Sequence, residues 1–176
     1  MRHKSAPPKI ASLFVLFASL NSIGQPLMAD TPVPVEIPEI TNLNTEAQRA
    51  KKLGVPLLIL FSMQGCAYCQ VVREEFLKPM LRNRDYDKKV LIREIHTDSF
   101  DTLRDFNGAP IDASELAQRY HASFSPTVVF LDYHGQPLAK HLVGITTLDY
   151  YGGFLDDAID NSLQQIHKLA LNQPPH

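Results

Sequence analysis

Short apolar runs alternate with amphipathic stretches along most of the chain. A short apolar run bounded by turn residues is typical of a strand that is buried on both faces. A stretch with apolar residues at helical spacing predicts a helix that packs one face against a sheet. The predicted order is helix, strand, helix, strand, helix, a hairpin of two strands and a final helix. This alternation predicts an α/β fold with a central mixed β-sheet flanked by helices.

Four segments are predicted to form the strands of this sheet. The first three are rich in aliphatic, β-branched or aromatic residues, which favour strands. The fourth returns from a turn predicted at His134-Gly135. The predicted strands are 56–61 (PLLILF), 90–95 (VLIREI), 127–131 (TVVFL) and 138–143.

Four other segments carry apolar residues at helical spacing. Thr45 is the predicted N-cap of the first helix, and Gly54 its predicted stop. The second helix begins at Cys66 and should end or kink at Pro79, because proline lacks the N–H that a helix needs. The polar face of this second helix carries Arg73, Glu74 and Lys78. The predicted helices lie near 46–53, from 66 to 79, at 114–120 and at 147–167.

The remaining segments show neither pattern. Residues 30–43 hold three prolines and are expected to run extended, either as a linker or as a first edge strand. Residues 96–112 are polar with a turn signal at Asn107-Gly108, so a loop or an insertion is expected. Residues 171–176 are expected to be a frayed tail. A single folded domain over residues 44–170 follows from these boundaries.

Residues 1–29 have the pattern of a secretory signal peptide. An uncharged apolar stretch at 10–20 follows a positively charged start, and Ala29 ends a tolerable cleavage site. A membrane span needs about 20 apolar residues, and polar residues interrupt this stretch from Asn21 onward. We therefore expect a cleaved signal and a protein exported to the periplasm. The charges at the start are Arg2, Lys4 and Lys9.

Composition narrows the function classes. The chain of 176 residues is 44% hydrophobic and 20% charged, which are ordinary values for a globular protein. Its formal net charge is −2, so there is no basic excess that would favour binding to nucleic acid or to an anionic membrane surface. We expect no nucleic-acid partner and a monomer.

The chain has two cysteines, and both lie in the segment Cys66-Ala67-Tyr68-Cys69. A disulfide across two intervening residues closes almost no loop, so it stabilises the fold little and chemistry is the better reason for the pair. At a helix start, unpaired N–H groups and the helix dipole favour a Cys66 thiolate. Cys69 lies one turn later on the same face. Cys66 can thus attack a substrate disulfide, and Cys69 can resolve the mixed disulfide.

A cysteine pair of this spacing can also bind a metal or a haem. A closed zinc site needs four ligands, and no second cysteine pair exists. Haem attachment requires a histidine where Gln70 stands. A copper-binding or metal-delivery module remains an alternative, because soft thiolates suit Cu(I). Its candidate additional ligands are His96, His121, His134 and His141.

Three groups of residues resemble the thioredoxin superfamily, and within it the small exported SoxW-like thioredoxins of bacteria. The resemblance runs from about Thr45 to Ile166. The three groups are the strand at 57–61 leading into Gly65-Cys66-Ala67-Tyr68-Cys69, then Phe106-Asn107-Gly108 with 114–117, and last Ser125-Pro126-Thr127 with Asp132, Gly135 and Gly144. The resemblance implies a thioredoxin fold and a thiol–disulfide oxidoreductase.

The resemblance also implies roles for single residues. Cys66 matches the attacking cysteine and Cys69 the resolving one, joined as a redox-active disulfide when oxidised. Pro126 matches a cis-proline, and Ser125 before it offers its backbone to a substrate strand, a form of strand addition. Ala67 and Tyr68 are expected to contact substrate, whereas Phe124 is expected in the core. No cofactor and no metal are expected.

Departures from the family pattern bear on whether the protein is expected to reduce or to oxidise its clients. Gly65 stands where thioredoxins usually carry tryptophan, and Leu60 stands where they bury an acid that accepts the proton of the second thiol. Our hypothesis is that Cys69 is deprotonated by water or by another group, so that resolution is slower. The chain has no room for the dimerisation domain of periplasmic isomerases. A reductase of exported disulfide clients, kept reduced by a membrane thiol donor, is the favoured direction.

Overall fold

A computed structural model describes residues 34–172, and the predicted signal peptide at 1–29 lies outside them. None of the helices in this range is long and apolar enough to cross a membrane. The helices are α1 (Leu43–Leu53), α2 (Ala67–Val71), α3 (Lys78–Arg82), α4 (Ala113–Arg119) and α5 (Leu148–Leu171), with a π-helical segment (Val72–Leu77) and a 3-10 turn (Tyr86–Lys88). The strands are β1 (Leu57–Ser62), β2 (Leu91–His96), β3 (Thr102–Arg104), β4 (Pro110–Asp112), β5 (Thr127–Leu131) and β6 (Leu142–Val143).

The main sheet has the strand order β2-β1-β5-β6 and is mixed. Strand β1 runs parallel to β2 and antiparallel to β5. Every residue of β1 is buried, because helices cover both faces of the sheet. Leu57, Ile59 and Phe61 face a cluster that includes residues of α1 and α4, whereas Leu58 and Leu60 face a cluster that includes α5 and the helices after the cysteines. The prediction of a central mixed sheet flanked by helices is confirmed.

The segment predicted as a loop or insertion contains a second, two-stranded sheet. Strands β3 and β4 pair antiparallel, with Leu103 opposite Ile111. These two side chains are buried while their neighbours are exposed. Gly108 turns the chain with a φ of +83°. A strand of three residues offers too few positions for alternation to be recognised, which is why the sequence pattern missed it.

Helix α1 begins earlier than predicted. Its N-cap is Asn42, whose Oδ1 accepts a hydrogen bond of 3.1 Å from the backbone N–H of Thr45. Thr45 was the wrong N-cap, because it lies inside the first turn. Gly54 ends the helix in the left-handed region at φ +69°, as predicted. Asparagine and threonine are both good N-caps. Asn42 is the N-cap because the chain leaves its bridge to Arg104 at this residue.

The helical run that follows the cysteines continues through Pro79 to Arg82. The prediction that it ends or kinks at Pro79 missed this continuation. Proline cannot donate to the preceding turn, and here that turn is wide. The N–H of Lys78 bonds to the carbonyl oxygen of Arg73, five residues back, as in a π-helix. The wide turn lets the helix accommodate proline without stopping.

The described residues at the two ends of the domain also have defined structure. Residues 34–42 run extended, with Ile37 and Ile40 buried. Ile40 donates its N–H to the carbonyl oxygen of Glu94 at 2.9 Å, so the segment lies along the outer edge of β2. Only an isolated bridge forms there, between Glu39 and Glu94. At the other end α5 reaches Leu171, the first residue of the predicted tail, and residues 173–176 lie outside the described part.

Candidate active site

The candidate site lies at the end of the main sheet where strand β1 ends. After Ser62 the chain turns through Met63–Gly65, with Gly65 at φ +68°, and delivers Cys66 to the start of α2. The backbone N–H of Gln64 donates to Asp98 Oδ2 at 2.9 Å, which ties this turn to the loop after β2. The local order of buried strand, glycine turn and helix thus sets the position of the cysteine pair.

Cys66 and Cys69 form a disulfide with an S–S distance of 2.07 Å and a Cα–Cα distance of 5.2 Å. Cys66 is the N-cap of α2, and its Sγ accepts a hydrogen bond of 3.1 Å from the N–H of Cys69. Cys66 is half-buried, whereas Cys69 is fully buried. Only the first sulfur is therefore open to a second molecule, and a backbone donor already points at it.

The loop that contains Ser125 and Pro126 lies at the same end of the sheet. In the register of β1 with β5, Phe61 is opposite Thr127, so Pro126, one residue earlier, lies level with Ser62 at the end of β1. The Ser125–Pro126 peptide bond is cis. The carbonyl oxygen of Pro126 accepts from the N–H of Gly144 at 2.8 Å, which links the loop to the end of β6. The Ser125 hydroxyl is one of the buried polar atoms without a hydrogen-bond partner within residues 34–172.

Several aromatic and apolar side chains around the two loops are exposed. Tyr68, between the cysteines, has 65% of its surface open to solvent, and Ala67 beside it is exposed as well. Phe124 is 77% exposed, so its predicted place in the core was wrong. Its chain segment leaves α4 and enters β5 through a surface loop, and the hydroxyl of Thr127 donates to the Phe124 carbonyl oxygen at 2.6 Å. The surface near the disulfide thus offers apolar contacts.

A network of buried polar groups lies beside the cysteines, and the sequence pattern missed it. Arg73 Nε donates to Glu94 Oε1 at 2.7 Å, and Arg73 Nη2 donates to Ser62 Oγ at 3.1 Å. The Ser62 hydroxyl donates to the same Glu94 oxygen. His96 Nδ1 lies 3.1 Å from Ser62 Oγ, and His96 Nε2 lies 3.2 Å from Glu39 Oε1. The network reaches from a buried carboxylate to the surface.

The predicted polar face of the second helix is therefore wrong at two positions. The Arg73 side chain is only 16% exposed, and Lys78 is buried. Lys78 Nζ lies 2.8 Å from Glu36 and 2.7 Å from Glu74. Hydrogen bonds to Glu36 and to Glu74 raise the pKa of Lys78 above its usual value, although burial opposes them. One signal was present in the sequence, since two charged residues, Arg93 and Glu94, interrupt an otherwise apolar run at 90–95.

The candidate metal ligands are not assembled into a site in the described range. There, no group of three or more histidine, cysteine, aspartate or glutamate side chains could hold a metal ion. Of the four histidines considered, only His96 lines the cavity that borders Cys66. His121 lies just after α4 with a φ of +53°, His134 lies in the turn after β5, and His141 directly precedes β6. Burial lowers the pKa of His141.

The chain is similar to several known proteins. The family model described as a thioredoxin-like domain matches residues 43–159. No curated protein matches the chain. Among solved structures, thioredoxin O2 of Arabidopsis thaliana is 14% identical with a TM-score of 0.46, covering 69% of this chain and 92% of that one. A poplar thioredoxin h is 17% identical with a TM-score of 0.48, covering 70% and 96%. Mitochondrial thioredoxin 3 of Saccharomyces cerevisiae is 20% identical with a TM-score of 0.44, covering 69% and 94%.

The family match extends from the first residue of α1 into α5 and includes both cysteines. It is more than half of the 176 residues. The disulfide between Cys66 and Cys69 lies within this range, at the start of the helix that follows the central strand. The chain therefore belongs to the thioredoxin-like family and is a thiol–disulfide oxidoreductase.

Proposed function

We propose that this protein is an exported reductase that exchanges disulfides with client proteins in the periplasm. The observation that carries the proposal is the asymmetry of the disulfide. Cys66 is half-buried at a helix start and accepts a backbone hydrogen bond, whereas Cys69 behind it is fully buried. Such an arrangement suits one sulfur for attack on a second molecule and the other for resolution within the protein.

In the proposed reaction the reduced protein begins with a Cys66 thiolate. This thiolate attacks one sulfur of a client disulfide, so that a mixed disulfide forms and the other client sulfur leaves as a thiolate. The Cys69 thiol loses its proton and attacks Cys66 Sγ, which releases the second client sulfur as a thiolate. The client gains two electrons and the protein ends with the Cys66–Cys69 disulfide. A membrane thiol donor returns the two electrons.

The client is proposed to bind across the two loops. Ser125 directly precedes the cis bond to Pro126, and its backbone would offer a donor and an acceptor to an extended client segment. Ala67 and Tyr68 are exposed beside Cys66 and supply side-chain contacts. Main-chain bonding with apolar side contacts tolerates many client sequences, as a general reductase requires.

Export is proposed from residues 1–29, whose charged start and apolar stretch have the pattern of a secretory signal. In the periplasm client proteins carry disulfides that a reductase can act on. The chain contains no second cysteine pair, so the electrons that regenerate the dithiol come from another protein. A monomer suffices for this cycle, since both cysteines belong to one chain.

The second candidate function is a copper-binding module that uses the same dithiol. His96 and Cys66 line the same cavity, so one imidazole lies on the side of the dithiol that Cys66 occupies. Two thiolates and a histidine are ligands that suit Cu(I). The two functions differ in whether the dithiol turns over.

Reduction of insulin by dithiothreitol tests the enzyme directly. We expect the protein to accelerate the reaction, and Cys66→Ser to return the rate to the uncatalysed level, because the attacking sulfur is lost. Turbidity of the released insulin chains measures the rate. Stoichiometric copper in the purified protein, together with no acceleration, would support the copper module and contradict the reductase.

The equilibrium potential of the Cys66–Cys69 pair against glutathione tests the direction. We expect a potential near that of cytosolic thioredoxin, about −270 mV, because a reductant must lie below its clients. The ratio of reduced to oxidised protein, read by mass after alkylation, gives the potential. A potential near about −120 mV, typical of a strong dithiol oxidant, would overturn the reductive direction.

Tyr68→Ala tests the client surface. Tyr68 is 65% exposed, so its removal should leave the fold intact and weaken client contact. We expect kcat/KM with a disulfide-containing peptide to fall on the order of threefold to tenfold, since an aromatic contact is worth about 1 kcal/mol. Tyr150→Ala is the matched control, because Tyr150 is 67% exposed but lies on α5. Equal effects of the two changes would contradict a role in client binding.

Leu60→Asp tests the hypothesis of slow resolution. Leu60 is fully buried on the sheet face that packs against the helices after the cysteines. We expect the aspartate to accelerate decay of the mixed disulfide in single-turnover stopped-flow experiments, because a positioned proton acceptor contributes about 10²–10⁴-fold. Leu60→Asn, of similar size without a titratable proton, is the control. No difference between these two variants at any pH would remove the hypothesis.

A further inference from the structure

A cavity of about 330 Å³ borders the attacking sulfur. One wall consists of Cys66, Gln70 and Arg73, which recur at helical spacing and therefore share one face of the helical run. His96, from the end of β2, lines the cavity as well. A long arginine side chain on a helix leans toward the N-terminal end, and here that end carries Cys66. A cation and the attacking sulfur thus share one partly enclosed space.

The position of the Arg73 guanidinium is held by two strands. Its Nε lies 2.7 Å from Glu94 on β2, and its Nη2 lies 3.1 Å from Ser62 at the end of β1. The Arg73 and Glu94 side chains are only 16% and 5% exposed. The π-helical segment begins at Val72, so Arg73 lies in the wide turn. Charges held away from bulk water interact more strongly than exposed ones.

The buried carboxylate of the pair occupies a particular place in the sheet. Glu94 is the Cα partner of Leu60 in the parallel register of β1 with β2. Paired residues on neighbouring strands point to the same face of a sheet, and Leu60 faces the cluster under the cysteine-bearing helices. Glu94 thus puts a negative charge on that face from the neighbouring strand, and Arg73 neutralises it.

On the basis of the proposed function, we propose that Arg73 is a positioning residue whose positive charge stabilises the thiolate of Cys66. The negative charge of Glu94 determines how strongly Arg73 attracts that thiolate. Reduction of the disulfide converts Cys66 Sγ into a titratable group at the cavity that Arg73 also lines. An arginine stays charged under all ordinary conditions, so its attraction for the thiolate lowers the cost of ionisation. The carboxylate of Glu94 opposes this attraction through its own negative charge.

Other charged groups face the same cavity, and their effects on the thiolate must be distinguished from the effect of Arg73. His96 lines the cavity, with Glu39 at its outer nitrogen. Asp98 accepts from the N–H of Gln64 in the turn before Cys66. Neither carboxylate attracts a thiolate, and both repel it. Arg73 differs from His96 in that its side chain is positively charged at every ordinary pH, and its partner Glu94 is buried, whereas Glu39 is exposed.

The test measures the pKa of Cys66 in the reduced full-length protein, from the pH dependence of its alkylation rate with the modified residue identified by mass. Arg73→Gln should raise this pKa by about 0.5–1 unit, because the cation is lost and Glu94 remains. Glu94→Gln should lower it by a similar amount, because Arg73 is left without its neutralising partner. Arg73→Lys, which keeps the charge, should leave the pKa close to that of the unmodified protein.

The matched control is a second buried arginine–glutamate pair. Arg93 Nε lies 2.6 Å from Glu46 Oε2, and Arg93, next to Glu94 on β2, points to the opposite face of the sheet. Glu46→Gln breaks a pair of the same kind and should leave the Cys66 pKa unchanged while it destabilises the fold. Shifts of equal sign in Arg73→Gln and Glu94→Gln, or a shift in Glu46→Gln as large as theirs, would overturn the proposal.

Two further comparisons test the role of Arg73 if a variant does not fold or if His96 acts instead. If Glu94→Gln does not fold, the contrast between Arg73→Gln and Arg73→Lys decides, and equal pKa values in these two variants contradict the proposal. If His96→Gln moves the pKa and Arg73→Gln does not, the histidine carries the effect and the proposal fails. Alkylation needs no client, so the predicted shifts in a protein inactive with insulin would contradict the reductase alone. Insulin activity without the shifts would contradict only the role of Arg73.

Discussion

Strand β1 is enclosed between two apolar clusters, and every group at the active site takes its position from this burial. The five side chains from Leu57 to Phe61 are fully buried, and each stabilises the fold by about 1.5–3 kcal/mol. A shift of one residue would exchange the two faces of the strand, so the register is strongly determined. The end of β1 at Ser62 is thereby fixed, and with it the turn that presents Cys66 and the neighbouring loop with Pro126.

The polar network at this end of β1 joins three elements that are separate in the chain. A buried ion pair is costly to break, because one charge is then left without a partner away from water. Arg73, Glu94 and Ser62 satisfy one another and connect the helical run to both parallel strands. Cys66 therefore lies at a helix N-terminus and lines the same cavity as Arg73, one member of this ion pair. Leu60 puts an apolar side chain at the position where the resemblance implied a buried acid, and the buried carboxylate on this face of the sheet is Glu94 of the adjacent strand.

Local patterns predicted the frame of the fold and failed where the outcome depended on contacts between distant segments. The apolar runs located β1, β2 and β5 within one residue at each end, and Gly54 was recognised as the end of α1. The N-cap was placed at Thr45 rather than Asn42, because both residue types can cap and only the packing of the preceding segment decides between them. Strands β3 and β4 were missed, since three residues carry too little periodicity.

The amino-acid sequence by itself determined the cysteine pair, its place after a buried strand and the proline loop that follows, because each of these is written in neighbouring residues. Tertiary structure alone decided which polar side chains are buried beside the sulfurs. Glu94 meets Arg73 across 21 positions of the chain and Ser62 across 32, and that meeting follows from the register of β1 with β2. The sequence does not show whether a charged side chain faces water or an oppositely charged partner. The packing of the neighbouring strand decides between these two environments.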